Sequence, residues 1–195
     1  MRKGDMRAGS AGSGQGASHT ACRPGPSLRP LSLPSPFDMR AVLSWVGWAL
    51  VTGVAAAVGG VASRNARGFY QMLDRPAWAP PGWVFPVVWP VLYLLMATAA
   101  WMVSRAAGPG RRGALALFLA QLVANALWTW LFFALKRGSW AMGEVLVLLA
   151  LVAATLAAFW RVRPTAGALL IPYLAWVAFA TALTWSVWRR NPTLL

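Results

Sequence analysis

The sequence predicts an all-α integral membrane protein: a bundle of five transmembrane helices whose Pro/Trp-rich first loop caps a cavity. Three observations predict it. Hydrophobic residues make up 58% of the chain and charged residues only 11%, against roughly 25% charged in an ordinary soluble domain. The apolar residues gather into five runs, about 41–62, 84–103, 114–135, 140–160 and 166–188, each near the ~20 residues that a spanning helix needs. No alternating barrel pattern is present, and backbone groups in lipid must be satisfied within the segment, so the runs are helices. The third observation is the stretch from Tyr70 to Trp89, YQMLDRPAWAPPGWVFPVVW. Proline fixes φ and extends the residue before it, so Arg75-Pro76 and Ala79-Pro80-Pro81 cannot collapse into helix. A mere connector would be short and polar; this one is stiff and aromatic, a preshaped cover for a flat apolar ligand.

The net charge is +14. The cations sit at the ends of the apolar runs (Arg64, Arg67 and Arg75; Arg105, Arg111 and Arg112; Lys136 and Arg137; Arg161 and Arg163; Arg189 and Arg190), as membrane-surface anchors do. The clustered basic patch of a nucleic-acid binder is missing, so no nucleic-acid partner is expected. The two membrane faces carry nearly equal sets of cations, and the positive-inside rule gives no orientation.

Residues 1–38 are rich in Gly, Ser, Pro and Arg. Such a segment cannot bury enough surface to offset its ordering entropy, and it is expected to be a disordered basic tail ahead of a membrane domain over 39–195. Three readings stand: a targeting peptide, a regulatory tail, or a start-site artefact, since Met39-Arg40 opens directly onto the first apolar run. The one Cys, Cys22, and the one His, His19, both lie in the tail. The membrane domain thus lacks the ligands of an ordinary zinc or haem site and the partners of a Ser-His or Cys-His nucleophile. Its acids are Asp74, in the first loop, and Glu144, in the fourth run, too far apart in the chain pattern for a paired-carboxylate site. No metal and no required cofactor are expected, nor is a conventional hydrolase or redox metalloenzyme.

Within the first run, Ala49, Gly53 and Ala57 form a small-residue stripe that lets helices approach closely. The second opens with Pro86 and Pro90, tolerated where backbone N–H groups lack partners anyway, and then sets Trp89, Tyr93, Met96 and Ala100 on one face. The third sets Gln121 and Asn125 on one face, continued by Trp128 and Phe132. Mid-membrane amides bond across helices or line a cavity; both readings stand, Asn125 being the better cavity candidate because it neighbours Trp128. Glu144, about one turn into the fourth helix, is either a stabilising or a functional carboxylate, near a helix N-terminus that favours its charged form. In the fifth, Pro172 should kink the helix, while Tyr173, Trp176, Ala180 and Thr184 share a face on which large rings beside a small Ala make a shelf with a recess.

The chain holds 13 Trp. Some are belt residues, such as Trp45, Trp140 and Trp160. Those at mid-span or in the loop, with Trp78 among them, offer faces on which a flat π-system stacks. A tetrapyrrole or a sterol has the right size and flatness, and the propionates of a porphyrin would pair with Arg64, Arg67 or Arg75.

These residues resemble the translocator protein, or tryptophan-rich sensory protein (TspO/MBR), family, also called the peripheral benzodiazepine receptor family. The likeness covers about 40–191. It rests on Tyr70-x-x-Leu73-x-Arg75-Pro76-x-Trp78-x-Pro80-Pro81, continued by Trp89 and Tyr93; on Gln121-x-x-x-Asn125 with Phe132-Phe133; and on Pro172-Tyr173-x-x-Trp176-x-x-Phe179-Ala180. The resemblance implies a five-helix bundle, commonly a homodimer, with a cavity under the first loop that takes porphyrins such as protoporphyrin IX, sterols, and isoquinoline or benzodiazepine drugs. Carried over by position, Tyr70, Trp89, Asn125, Tyr173, Trp176 and Ala180 are its cavity residues. It also implies a rival reading, light- and oxygen-dependent degradation of protoporphyrin with Trp89 and Trp176 as electron or radical partners. The cholesterol pattern of vertebrate relatives is broken here, with Trp185 at its central tyrosine, so a bacterial membrane and tetrapyrrole handling fit better than sterol.

Overall fold

A computed structural model describes residues 39–195. The expectations for residues 1–38, including the disordered tail, its three readings, Cys22 and His19, lie outside the described residues. All regular structure among the described residues is helical. Five helical segments are long and apolar enough to cross a membrane: Met39–Ala62, Val84–Ser104, Arg111–Ala134, Gly138–Val162 and Pro164–Arg190. At 1.5 Å per residue such segments rise about 30–40 Å, enough for a hydrocarbon core of ~30 Å.

Helix α1 (Met39–Ala62) packs against α3 (Val84–Ser104) and α4 (Arg111–Thr129). Its contacts differ from the expected ones. A Cβ added at Gly53 would meet nothing within 4 Å and Ala57 is exposed, so the small-residue stripe faces outward. The close approach is made instead by Gly59, where an added Cβ would lie 3.4 Å from Thr129 Oγ1 of α4. A short helix, α2 (Ala66–Met72), follows α1 and precedes the proline loop. That loop turns at Pro76–Ala79, where Ala79 N donates to Pro76 O (2.9 Å), and again into α3, where Val84 N donates to Pro81 O (3.0 Å). Pro86 lies in the first turn of α3. Pro90 sits deeper, inside the helix, and leaves the Pro86 carbonyl without its i+4 donor.

The connection to α4 needs positive φ at Gly108 (+123°) and Gly110 (+87°), which glycine supplies without a Cβ clash. Helix α4 does not end cleanly at Thr129. It widens into a π-helical turn over Trp130–Ala134, marked by Leu135 N donating five residues back to Trp130 O (2.8 Å). Helix α5 (Gly138–Val162) packs on α4 and on α7 (Ile171–Arg190). It stops at Arg163, which is extended ahead of Pro164, as a residue before proline should be. Pro164 then starts the short helix α6 (Pro164–Ala168). Gly167 lets α6 press on α5: a Cβ there would fall 2.9 Å from the Trp160 backbone.

The fifth span is therefore two pieces. Its break falls at Leu169–Leu170, and Pro172 lies in the first turn of α7, where it ends no helical bond of its own. The kink expected at Pro172 is instead this upstream interruption. With α1 beside α3 and α4, and α5 beside α4 and α7, the bundle leaves a space among α1, α3, α4 and α7 at the end where the first loop lies.

Candidate ligand cavity

That space is a cavity of about 370 Å3. Helix α1 gives it a backbone-rich wall at Ala56, Gly59 and Gly60. Helix α3 contributes Phe85, Trp89 and Tyr93. Asn125, Trp128 and Thr129 come from α4, and Phe133 from the π turn. Trp176 and Ala180 of α7 complete the shelf and recess read from the sequence. Tyr70, Arg67 and Gly82 approach from the first loop.

The rings hold one another largely edge to face, the geometry their quadrupoles favour. Phe85 links Tyr70 (5.4 Å, 75°) to Trp176 (5.8 Å, 73°). Trp89 lies tilted on Tyr93 at 5.6 Å. Trp128 stacks on Phe132 at 5.4 Å and meets Phe133 edge-on at 5.9 Å. Tyr70 is fixed at both ends: its Oη donates to Pro80 O (2.9 Å), and the Arg75 guanidinium stands 4.7 Å above its ring. Burial raises the Tyr70 phenol pKa above its ordinary value, and Arg75 partly opposes that rise.

One polar chain runs from the cavity into the core. Tyr93 Oη donates to Asn125 Oδ1 (2.9 Å), and Asn125 Nδ2 donates to Tyr173 Oη (3.2 Å). Tyr173 Oη in turn donates to Gln121 Oε1 (2.8 Å), and Gln121 Nε2 points at Met96 Sδ (3.8 Å). Both roles weighed for the amides are thus present. Asn125 lines the cavity and bonds across helices, whereas Gln121 only bonds across helices.

Among the predicted ligand residues, Tyr70, Trp89, Tyr93, Asn125, Trp128, Trp176 and Ala180 come together on the wall. Two do not. Tyr173 is fully buried but off the wall, acting as a strut that orients Asn125. Trp78 is 52% exposed, because the Pro76–Ala79 turn sends its indole out to Phe179, at 5.8 Å. Of the three candidate propionate partners only Arg67 reaches the cavity. Arg75 is engaged on Tyr70, and Arg64 points into a separate outer groove.

Among the described residues, two buried groups stand out by lacking partners. Trp128 Nε1 is a buried donor on a cavity-lining side chain, with no hydrogen-bond acceptor. An orphan of this kind costs about 1–3 kcal/mol. Both Glu144 carboxyl oxygens are likewise buried and unpartnered. Glu144 lies off the cavity and beyond the first turn of α5, out of the short range of the helix-terminus field on which its expected stabilisation relied.

Sequence reasoning missed the α1 wall, Phe85, and Asn191. Asn191 is buried after α7 and ties down the first loop: its Oδ1 accepts from Asp74 N (2.9 Å) and its Nδ2 donates to Asp74 O (3.0 Å). The Gly59-Gly60 pair was the one available hint of the α1 wall. Nothing local marks Asn191, whose partner is 117 positions away.

The sequence profile of the TspO/MBR family matches residues 47–189. The chain belongs to the TspO/MBR family. This TspO/MBR chain is similar to the tryptophan-rich sensory protein of Cereibacter sphaeroides, with 43% identity over 148 residues, covering 74% of this chain and 92% of the relative. It is also similar to the translocator protein of Homo sapiens, at 37% identity over 157 residues and 75% and 91% of the two chains. The tryptophan-rich protein TspO of Chlorobaculum tepidum is 34% identical over 153 residues, covering 74% and 95%. All the cavity-lining residues named above lie within the matched region.

Proposed function

We propose that this TspO/MBR protein is a membrane sensory or transport protein that binds a tetrapyrrole of the protoporphyrin or haem type in the cavity among α1, α3, α4 and α7. The observation that carries the reading is the lining itself: an aromatic wall with few polar groups and, among the described residues, a single cation, Arg67, at its exposed edge. The volume of about 370 Å3 lies in the range of small-molecule sites, ~300–1,000 Å3. A macrocycle stacked on Trp89 and Trp176 would fill it and leave its carboxylate edge outside, against Arg67. Tyr70 and Gly82 on the wall support a capping role for the proline loop. A sterol would use the same wall without the carboxylate contact. The sensory and translocator names of the relatives support a binding role of this kind, and the broken cholesterol pattern favours a bacterial membrane.

The test is a dark titration of purified protein with protoporphyrin, read by quenching of tryptophan fluorescence. Saturable binding that weakens at least about tenfold in Trp176→Ala supports the proposal, since a buried aromatic side chain contributes on that scale. Unchanged affinity in that variant would remove the shelf from the site. Photodegradation is the second reading, favoured by the presence of both Trp89 and Trp176 on the wall. Illumination of the complex decides it: product above the free-pigment control, lost in Trp89→Phe with binding intact, supports an enzyme. The homodimer is proposed on the resemblance, with the outward Gly53 and Ala57 as a close-approach surface; failure of a Gly53→Cys variant to crosslink in membranes counts against that surface.

A further inference from the structure

We propose that the open groove between the end of α1 and the π turn is a binding site for one anionic glycerophospholipid, separate from the tetrapyrrole cavity. The groove measures about 770 Å3 and is walled by Val61, Arg64, Asn65, Met72, Trp130 and Lys136. Phe133 is the partition, since it also lines the cavity.

Four features point to this occupant. The first is depth. Arg64 follows the last residue of the first span by two positions, and Lys136 follows the last residue of the third by two, so both cations stand where lipid phosphates lie. The second is charge. Among the described residues no acidic side chain lines the groove. Asp74, the one acid of the first loop, is taken by Arg190 at 3.7 Å, and neither Arg64 nor Lys136 has an ion-pair partner among the described residues. Two cations and the Asn65 amide together suit a phosphodiester, which offers several acceptor oxygens and one charge.

The third feature is that one cation is held in place. Lys136 has a left-handed backbone, φ +52°, that L-residues avoid. The turn is forced by the π-helical exit, where Arg137 N donates back to Leu131 O (2.9 Å). It sets Lys136 Nζ 5.0 Å from the Phe69 ring, close to the groove wall. The fourth is the apolar flank. Val61 and Met72 are 45% and 63% exposed, and as walls of the groove they set apolar surface beside the two cations. A free phosphate would use the cations and leave this flank idle; a phospholipid uses both.

The full chain in detergent, titrated with dioleoyl phosphatidylglycerol against the phosphatidylcholine of the same chains, tests this by native mass spectrometry. Wild type should retain one phosphatidylglycerol in clear preference to phosphatidylcholine. Each cation near a lipid phosphate is worth about fivefold, so Arg64→Gln/Lys136→Gln should reduce the preference by about 25-fold or to parity. Arg137→Gln/Arg189→Gln removes the same charge outside the groove and should keep the preference. Arg64→Lys and Lys136→Arg keep the charges and should keep it too, which covers the event that the double variant folds poorly. Equal retention of the two lipids by wild type, equal loss in the Arg137/Arg189 control, or displacement of phosphatidylglycerol by excess inorganic phosphate would each overturn the proposal. Protoporphyrin affinity is measured in parallel; a failed cavity reading leaves this lipid preference untouched, and the reverse.

Discussion

Replacing Tyr173 with Phe removes a single oxygen from a fully enclosed site. That oxygen donates to Gln121 Oε1 at 2.8 Å and accepts from Asn125 Nδ2 at 3.2 Å, in a residue 1% exposed. The ring remains, so packing is conserved and the change is almost purely polar. Two buried groups lose a partner. In soluble proteins each would cost about 1–3 kcal/mol. Cross-helix hydrogen bonds within membranes average nearer ~0.6 kcal/mol, with a maximum of ~1.7, because the unfolded reference also finds partners. Two such losses give an expected destabilisation of about 1–3 kcal/mol. Reversible unfolding in mixed micelles measures it, together with a cycle through Gln121→Leu. Because that second change already breaks the shared bond, the double variant should be more stable than the sum of the singles predicts, by at least about 0.5 kcal/mol. Protoporphyrin affinity should move by less than about fivefold, since Tyr173 touches the cavity only through Asn125. Neutral stability, additive costs, or a loss of affinity as large as that of Trp176→Ala would each refute the assignment of Tyr173 as a strut rather than a wall.

Trp128→Phe deletes the orphaned Nε1 donor while keeping the stack on Phe132. Relief of the orphaned donor, about 1–3 kcal/mol, opposes the burial lost with the smaller ring, so unliganded stability should stay within about 1 kcal/mol, whereas affinity for a ligand whose oxygen or nitrogen meets that donor should fall by about fivefold to 30-fold. Unchanged affinity in the titration would mean that ligand leaves the indole N–H unmet. Asn191→Ala cuts both bonds to Asp74 and the bond to Val187 O (2.8 Å). The expected cost is about 1–3 kcal/mol, seen as faster amide hydrogen exchange over residues 73–83 while the spans remain protected. Ala180→Leu fills the recess beside Trp176; protoporphyrin binding should weaken at least about tenfold with the melting temperature held or raised, because the new methyl groups enter existing space.

The spans were legible because hydropathy and length are properties of contiguous sequence, and lipid leaves helix as the one way to satisfy the backbone there. The shelf of α7 was legible for a related reason: Trp176 and Ala180 are one helical turn apart, so spacing alone puts them on one face. Trp78 and Tyr173 show where this stops. Spacing set Tyr173 beside Trp176, yet the rotation of α7 in the bundle turns the phenol into the core. Proline keeps the loop out of helix, but the direction of the Trp78 indole depends on how the Pro76–Ala79 turn meets Phe179. The π turn at Trp130–Ala134 carries no spacing or residue pattern by which the sequence announces it.

By itself, then, the order of residues determined five apolar helices, the charged flanks at their ends, the stiff loop between the first two, and the set of rings available to face a ligand. Which rings face the cavity, which brace it from behind, and which cation stands at its edge were decided by the packing of α1, α3, α4 and α7. Those choices rest on contacts between residues as far apart as Asp74 and Asn191, and no local periodicity encodes the rotation of one helix against another.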